Sequence, residues 1–569
     1  MLFSFDEKGK GITVKADDLY DGKKGYGFIT EKNPPVSGLG NHFVFPAYYG
    51  NEEAVKPEQC EKGIFVDNEA ALKKLEAPNG GLIPLCFAAD VPEYGNYRVT
   101  VKLSATGEAV VFAGSRRLYF RDRMMVETSV IVVFDLNVSR IIPRGSTEAA
   151  DRRTVFVTAL GEDAVISSIE IEKSDAKTVF ICGDSTVTDQ PADYPYYPGS
   201  SYSGWGQMLS DHVHGMAISN HAHSGLTTES FRSEGHYAIV REMLSAGDYV
   251  MFQFAHNDQK LAHLKAKEGY RNNLLRYIEE TRKGGAFPII VSPLARNTWK
   301  PDNGGYNDLL KEYADECISI GKEFDVPVID LHDFSMKEVL RDGLESSKRF
   351  YFPKDYTHTN DFGAYKMALF ISKELEKLTG DYAPIAEAAH YDEMVWDVNE
   401  IPKVPEIPER FRETKTETAD NEKAAEVERP EDELLRAEAL DMVIKAAKFF
   451  PTNVFNDIYD DIVGHEWYAG TVQCAFQNGI IPKEMTADKK FCPEEPVTLE
   501  DFMCFTVAAC GSRKKLPEGK ATVYDGVCKT YARESMRIAV ALGLIGEDRN
   551  PKDKMKRKEG AAICARLGL

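Results

Sequence analysis

The sequence predicts a multidomain chain: a β-sandwich, then a three-layer α/β core on a five-stranded parallel sheet, then a mainly α-helical repeat module. Three observations predict it. Apolar and polar residues alternate up to about position 175, short apolar strands alternate with amphipathic helices from Thr178 onward, and helical periodicity returns after a Pro-, Glu- and Lys-rich stretch.

In the first segment Tyr97, Val99, Val101 and Leu103 alternate with Arg98, Thr100 and Lys102, the period of a half-buried strand. Similar runs at 110–112, 130–136, 154–158 and 169–171 extend the pattern, and no helix is expected among them, which makes residues 1–176 a β-sandwich. Strands of the second segment are expected at 179–182, 216–219, 249–254, 288–292 and 326–331. Between them Tyr270, Leu274, Tyr277, Ile278 and Thr281 recur at helical spacing, as do Leu309, Leu310, Tyr313, Ala314 and Cys317. Strands separated by helices form a parallel sheet covered on both faces, with ligands at the carboxyl ends of its strands. This core is assigned to 177–385. Residues 386–433 read as a solvated linker, and 434–569 as the helical module.

The 569 residues suit several ordinary domains. A net charge of −21 argues against nucleic acid as a partner. No uncharged apolar run approaches a membrane-spanning length, so no membrane partner is expected. The amino terminus, MLFSFDEKGKG, carries charges where a signal peptide would be apolar. The ten cysteines are scattered without CxxC pairs, and Cys182 and Cys504 sit in apolar surroundings. These features point to the cytoplasm. The alternative is a secreted or wall-associated enzyme whose leader has been removed.

The chemistry concentrates at the ends of the predicted core strands. Ser185, in Gly183-Asp184-Ser185-Thr186-Val187, stands just past the first strand, where a nucleophile meets backbone N–H groups able to hold an oxyanion. Taken alone, it reads equally as a helix-capping serine after a tight turn. A hydroxyl needs a base to take its proton, and imidazole suits that task near neutrality. Asp355 precedes His358 by three residues, so one turn lets the carboxylate hold the ring's Nδ1–H while Nε2 faces the serine. Alone, that pair is also an ordinary surface turn. The order Ser, Asp, His occurs in α/β-hydrolases, but their G-x-S-x-G elbow is absent.

Further blocks follow in order: Asn220-His221-Ala222-His223-Ser224-Gly225, Ala255-His256-Asn257-Asp258, and Asp355-Tyr356-Thr357-His358-Thr359-Asn360. Together with GDSTV and Gly204-Trp205-Gly206-Gln207, they resemble the SGNH (GDSL-type) hydrolases over roughly 177–380, and within them the rhamnogalacturonan acetylesterase-like branch. The resemblance implies a serine esterase with Ser185, Asp355 and His358 as catalytic residues. It also implies an oxyanion hole of the Ser185 and Gly225 backbone N–H groups and the Asn257 amide. Asn257 in isolation serves equally as a helix cap. After the block-two glycine this chain carries Leu226-Thr227 where the branch is expected to have Arg-Ser, a departure that bears on the substrate.

Trp205, Trp299 and Asn297 lie on predicted loops at the active edge as candidate sugar contacts, with aromatic packing the alternative for the tryptophans. His256 is a further candidate, or else a brace for the Asn257 loop with Asp258. His221 and His223 have no third ligand in sight, so no metal is expected, and no cofactor motif occurs. The implied activity is carbohydrate O-acetylester hydrolysis through an acetyl-serine, on pectin-, xylan- or mannan-derived oligosaccharides. A lipase or thioesterase on the same core is the alternative enzyme, and a non-catalytic carbohydrate-binding protein is the alternative class.

The first domain resembles galactose-binding-like jelly rolls through Gly25-Tyr26-Gly27-Phe28, as a carbohydrate binder or a wall beside the active site. The last resembles degenerate S-layer homology repeats. Arg436, Leu499 and Arg557 occupy equivalent positions, 63 and 58 residues apart. Such a module can bind cell wall, pack within the chain, or form a homodimer.

Overall fold

The computed structural model describes residues 1–6, 9–29, 57–142, 148–150, 153–192, 195–300, 304–353, 355–390, 430–447, 449, 459–462, 468–511 and 516–566. It divides into two compact units, Met1–Asp258 with Lys265–Lys415, and Gln259–Leu264 with Thr416–Leu569. Most of the predicted linker (391–429) lies outside the described residues. Among the described residues, no helix is long and apolar enough to cross a membrane.

The first unit begins with ten strands: β1 (Leu2–Ser4), β2 (Ile12–Thr13), β3 (Tyr26–Ile29), β4 (Glu58–Cys60), β5 (Gly63–Phe65), β6 (Leu85–Asp90), β7 (Gly95–Ala113), β8 (Arg117–Val138), β9 (Thr154–Gly161) and β10 (Val165–Lys173). β7 and β8 form one long antiparallel hairpin. The near half of β7 pairs with β10 and its far half with β9, so one strand serves two layers. Its register shifts between Ala105 and Gly107, where Gly107 holds φ +74°, a bend suited to glycine. Phe3 and Phe5 beside β10 meet Phe87 of β6 at 5.0 and 5.2 Å between ring centroids, closing one layer on the other.

One expectation fails here. A helix, Asn68–Lys74, stands among the strands. Its signals are local: the Asp67 side chain caps the Ala70 N–H, Glu69 lies in the first turn and Lys73 and Lys74 in the last, and Ala71 and Leu72 are buried. Strand periodicity on both sides masked them.

Five parallel strands follow: β11 (Thr178–Gly183), β12 (Ala217–Asn220), β13 (Tyr249–Gln253), β14 (Phe287–Val291) and β15 (Val328–Ile329). Their spatial order is β15-β14-β13-β11-β12. β15 is shorter than expected because Asp330 caps the helix Leu331–Ser347. Alternate residues serve opposite faces. Val179 and Ile181 join the core that holds Phe362, Tyr365 and Ile371 of the helix Asp361–Leu375. Phe180 and Cys182 pack with Leu274, Tyr277 and Ile278 of the helix Arg271–Lys283. That alternation is the three-layer plan.

β12 also pairs with β8 through Ile218 and Leu136, so the β module and the parallel sheet share an edge. The last segment of the unit extends beyond residue 385. The short helix Ala383–Ala388 buries Ile385 completely, and Ala389 bridges to Val213.

The second unit is helical, with Arg436–Ala446, Ala469–Gln477, Leu499–Gly511, Arg533–Ala541 and Arg557–Cys564. Three backbone hydrogen bonds close a ring. Leu434 N donates to Met555 O (2.8 Å), Met555 N to Val497 O (2.9 Å), and Val497 N to Leu434 O (2.9 Å). Two residues after each ring position a helix-start amide bonds another segment: Arg436 to Glu495 O, Leu499 to Asp553 O and Arg557 to Asp432 O.

Ile385→Ala should destabilise the first unit by about 2–5 kcal/mol, because a buried aliphatic group is lost and a cavity left. Chemical denaturation followed by tryptophan fluorescence would register it, since Trp205 and Trp299 both lie in that unit.

Candidate active site

β11 is buried throughout and ends at Gly183. A Cβ on Gly183 would lie 2.7 Å from Gln253 O and 2.7 Å from a Val187 methyl, so only glycine lets the chain turn there. Asp184, fully buried, accepts from Thr186 N (3.0 Å) and Thr186 Oγ1 (2.8 Å), a side-chain turn that shapes the next residue's backbone. Ser185 emerges half-buried at the sheet edge.

His358 Nε2 lies 2.7 Å from Ser185 Oγ, and His358 Nδ1 lies 2.9 Å from Asp355 Oδ2. The other Asp355 oxygen accepts the backbone N–H groups of Thr357 (2.7 Å) and His358 (2.9 Å). Burial pushes this carboxyl up, but the imidazole and the two amides outweigh it and hold the pKa at about 2. The carboxylate therefore stays ionised and fixes the ring so that Nε2 can accept the serine proton. Tyr202 stands edge-on to His358 at 5.8 Å and stacks on Phe352 at 3.5 Å, closing one side of the imidazole.

Gly225 holds φ +87°, with nothing within 4 Å of where a Cβ would stand, so the space beside its backbone is open. Asn257 is buried, and its Nδ2 donates to Leu226 O at 3.0 Å. Two residues earlier, Ala255 adopts φ +128°, a strained conformation for a side-chain-bearing residue at the turn that aims Asn257.

The four predicted sugar contacts fare differently. Trp205 is 1 % exposed and its Nε1 donates to Gln253 Oε1 at 2.7 Å, so it is a core residue and offers no face to a ligand. His256 is 2 % exposed, with Nδ1 3.3 Å from Asp184 and Nε2 2.9 Å from Leu294 O, so both ring nitrogens are engaged within the fold. It braces the Asn257 loop. Asn297 is buried, donates to Leu344 O (3.1 Å) and accepts Trp299 Nε1 (2.8 Å). Trp299 is half-buried against Tyr306 and remains the one of the four with exposed ring surface. Loop positions in the sequence imply surface contacts, but the polar atoms of Trp205, His256 and Asn297 find partners within the fold.

His221 bonds Ser219 Oγ at 2.9 Å and His223 bonds Ser224 O at 3.1 Å, and no group of three metal-ligating side chains occurs among the described residues. Sequence reasoning missed Gln190, whose Nε2 reaches Ser185 O (3.1 Å) and Ser224 Oγ (3.4 Å). It also missed buried Arg296, which donates to Thr357 Oγ1 (2.8 Å) and His256 O (3.2 Å), tying two blocks together. Neither residue belongs to a recognisable motif.

Residues 181–365 match the GDSL-like Lipase/Acylhydrolase family. The rhamnogalacturonan acetylesterase RhgT of Bacillus subtilis is 34 % identical over 216 residues, 35 % of this chain and 90 % of that one. The chain belongs to this family. It is a serine esterase. The rhamnogalacturonan acetylesterase of Emericella nidulans is 28 % identical over 218 residues, 34 % of this chain and 82 % of that one. The uncharacterized esterase YxiM of B. subtilis is 25 % identical over 380 residues, 64 % of this chain and 87 % of that one.

Asp258, next to Asn257, is fully buried and accepts both the N–H (2.9 Å) and the hydroxyl of Thr228, linking the Asn257 and Gly225 loops. Burial raises its pKa to about 7, with Thr228 opposing. A raised carboxyl pKa means that the unfolded chain loses this proton at lower pH than the fold does. Stability is therefore lost as pH rises from about 4 to about 7. Asp258→Asn, which keeps the acceptor and removes the charge, should gain melting temperature relative to the parent as pH rises from 5 to 8. Thermal denaturation of both proteins across that range measures it.

Proposed function

We propose that the chain is a carbohydrate O-acetylesterase acting on plant cell-wall-derived oligosaccharides, with Ser185 as nucleophile, His358 as base and Asp355 as its partner. The observation that carries this reading is the continuous Ser185–His358–Asp355 relay, at 2.7 and 2.9 Å, beside Gly225 and Asn257. Ser185 Oγ attacks the acetyl carbonyl while His358 Nε2 takes its proton. The oxyanion is met by the N–H groups of Ser185 and Gly225 and by Asn257 Nδ2. The imidazolium then protonates the departing sugar oxygen, leaving an acetyl-serine. A water activated by the same imidazole releases acetate and restores the hydroxyl.

Support for the sugar comes from the relatives named as rhamnogalacturonan acetylesterases. At the position following Gly225, Leu226 is buried in the apolar core, so any preference for an acidic sugar has to come from elsewhere. Acetylated pectin, xylan and mannan oligosaccharides are the panel to separate. A long-chain ester turned over better than all three would instead make the enzyme a lipase.

The finer architecture belongs to the same reading. The two-layered β module is taken as galactose-binding-like, and the helical unit as three degenerate S-layer-homology-like copies able to form a homodimer. Buried unpaired thiols such as Cys86, Cys182 and Cys504 favour work in the reducing cytoplasm on imported oligosaccharides. Co-sedimentation with purified cell walls would contradict that placement.

Ser185→Ala or His358→Ala should lower kcat on a chromogenic acetate ester by about 10⁴–10⁶-fold without unfolding the protein. Near wild-type turnover in either would end the assignment. Asn257→Ala should cost about 10²–10³ in kcat with KM little changed. A change chiefly in KM would make Asn257 a ground-state binding residue instead.

A further inference from the structure

The hairpin of the β module turns at Gly114-Ser115-Arg116, between β7 and β8. Arg116 adopts φ +77°, a left-handed conformation that side-chain-bearing residues avoid. It is 3 % exposed, and its guanidinium is surrounded by acceptors. Nε donates to Gln190 O (2.8 Å) and Nη1 to Asp361 Oδ1 (3.1 Å). Nη2 donates to Tyr202 O (2.6 Å) and Ser203 Oγ (2.9 Å), with Gln207 Oε1 at 3.4 Å. Gln207 in return donates to Arg116 O at 2.6 Å.

These partners lie around the triad. Gln190 holds the carbonyl of Ser185. Tyr202 stands edge-on to the His358 ring, and its neighbour Ser203 exchanges backbone and side-chain bonds with Thr359. Asp361 opens the helix that follows the His358 loop. A single guanidinium thus ties together the segment behind the serine, the segment beside the histidine and the segment after it. An ion pair serving stability alone would need only Asp361. The use of all three edges of the fork is what an arginine does where relative position matters.

We propose that Arg116 is a positioning residue of the esterase site, so that the amino-terminal β module is a working part of the catalytic centre. This rests on the esterase reading of Ser185, Asp355 and His358. Arg116 touches no reacting atom. It fixes the approach of His358 to Ser185, and an error of about 1 Å in such an approach costs about 10²-fold in rate.

The test uses the full chain, with Arg116→Ala and Arg116→Lys assayed on p-nitrophenyl acetate, alongside melting curves and the rate of Ser185 modification by phenylmethanesulfonyl fluoride. Folded Arg116→Ala should lose about 10²-fold in kcat with KM within about twofold, and modification of Ser185 should slow in step. Millimolar guanidinium should restore part of the kcat by refilling the site, an effect that a general loss of stability would not show. A folded Arg116→Ala with kcat within about threefold of the parent overturns the proposal, as does a loss that only follows the unfolded fraction. Should Arg116→Ala not fold, Arg116→Lys decides. It keeps the charge and lacks the fork, so a fall in kcat at constant KM supports the role, and unchanged kcat overturns it. Ser185→Ala separates the two claims: if that variant stays active, the esterase reading itself has failed.

Discussion

Everything at this site depends on one distance, 2.7 Å between a serine hydroxyl and an imidazole nitrogen carried 173 residues apart in the chain. Neither loop could hold that distance alone. Ser185 is fixed from behind by a glycine with no room for a side chain, by the Asp184 turn and by Gln190. His358 is fixed by Asp355 and by a loop anchored to the buried Arg296 through Thr357. The parallel sheet supplies the common frame, because β11 ends beside β12 and β13 and delivers their loops to one edge.

Two carboxylates show how the surroundings divide the labour. Asp258 is buried and Asp355 half-buried, and the first is raised to about 7 while the second is held at about 2. Asp355 faces an imidazole and two backbone amides, so ionisation is favoured despite desolvation. Asp258 has a hydroxyl and one amide, both on the same oxygen, and among the described residues its Oδ2 meets no hydrogen-bond partner. An ionised Asp355 is suited to stabilising an imidazolium at His358. Asp258 is suited to a structural task, joining the two loops that carry Gly225 and Asn257.

The parallel strands, and the meeting of Ser185, His358 and Asp355, were legible because each leaves a local trace: apolar runs of the right length, and short motifs in a fixed order. The helix Asn68–Lys74 also left a trace, but its capping signals were outweighed by strand periodicity on either side. Trp205 misled for a different reason. A tryptophan between two glycines reads as a loop residue, whereas the glycines let its backbone pack against Val187 and Thr188 while the indole enters the core. A Cβ on Gly204 would lie 2.2 Å from Val187 C. Arg116 and Gln190 left no trace at all, since most of their partners are distant in sequence and several are backbone carbonyls, which any residue provides.

The helical unit shows the same division between backbone and side chain. Its ring positions Leu434, Val497 and Met555 are joined N–H to carbonyl in a closed cycle, and they stand 63 and 58 residues apart, the spacing seen among Arg436, Leu499 and Arg557. Because peptide groups make the ring, the side chains around it are free to diverge. Arg436 donates to Phe491 O and Arg557 pairs with Glu438, while Leu499 at the matching place is fully buried in the apolar core. A leucine at the place where the other two segments carry arginine therefore leaves the backbone ring intact. The three segments are joined by peptide-group hydrogen bonds that the sequence does not spell.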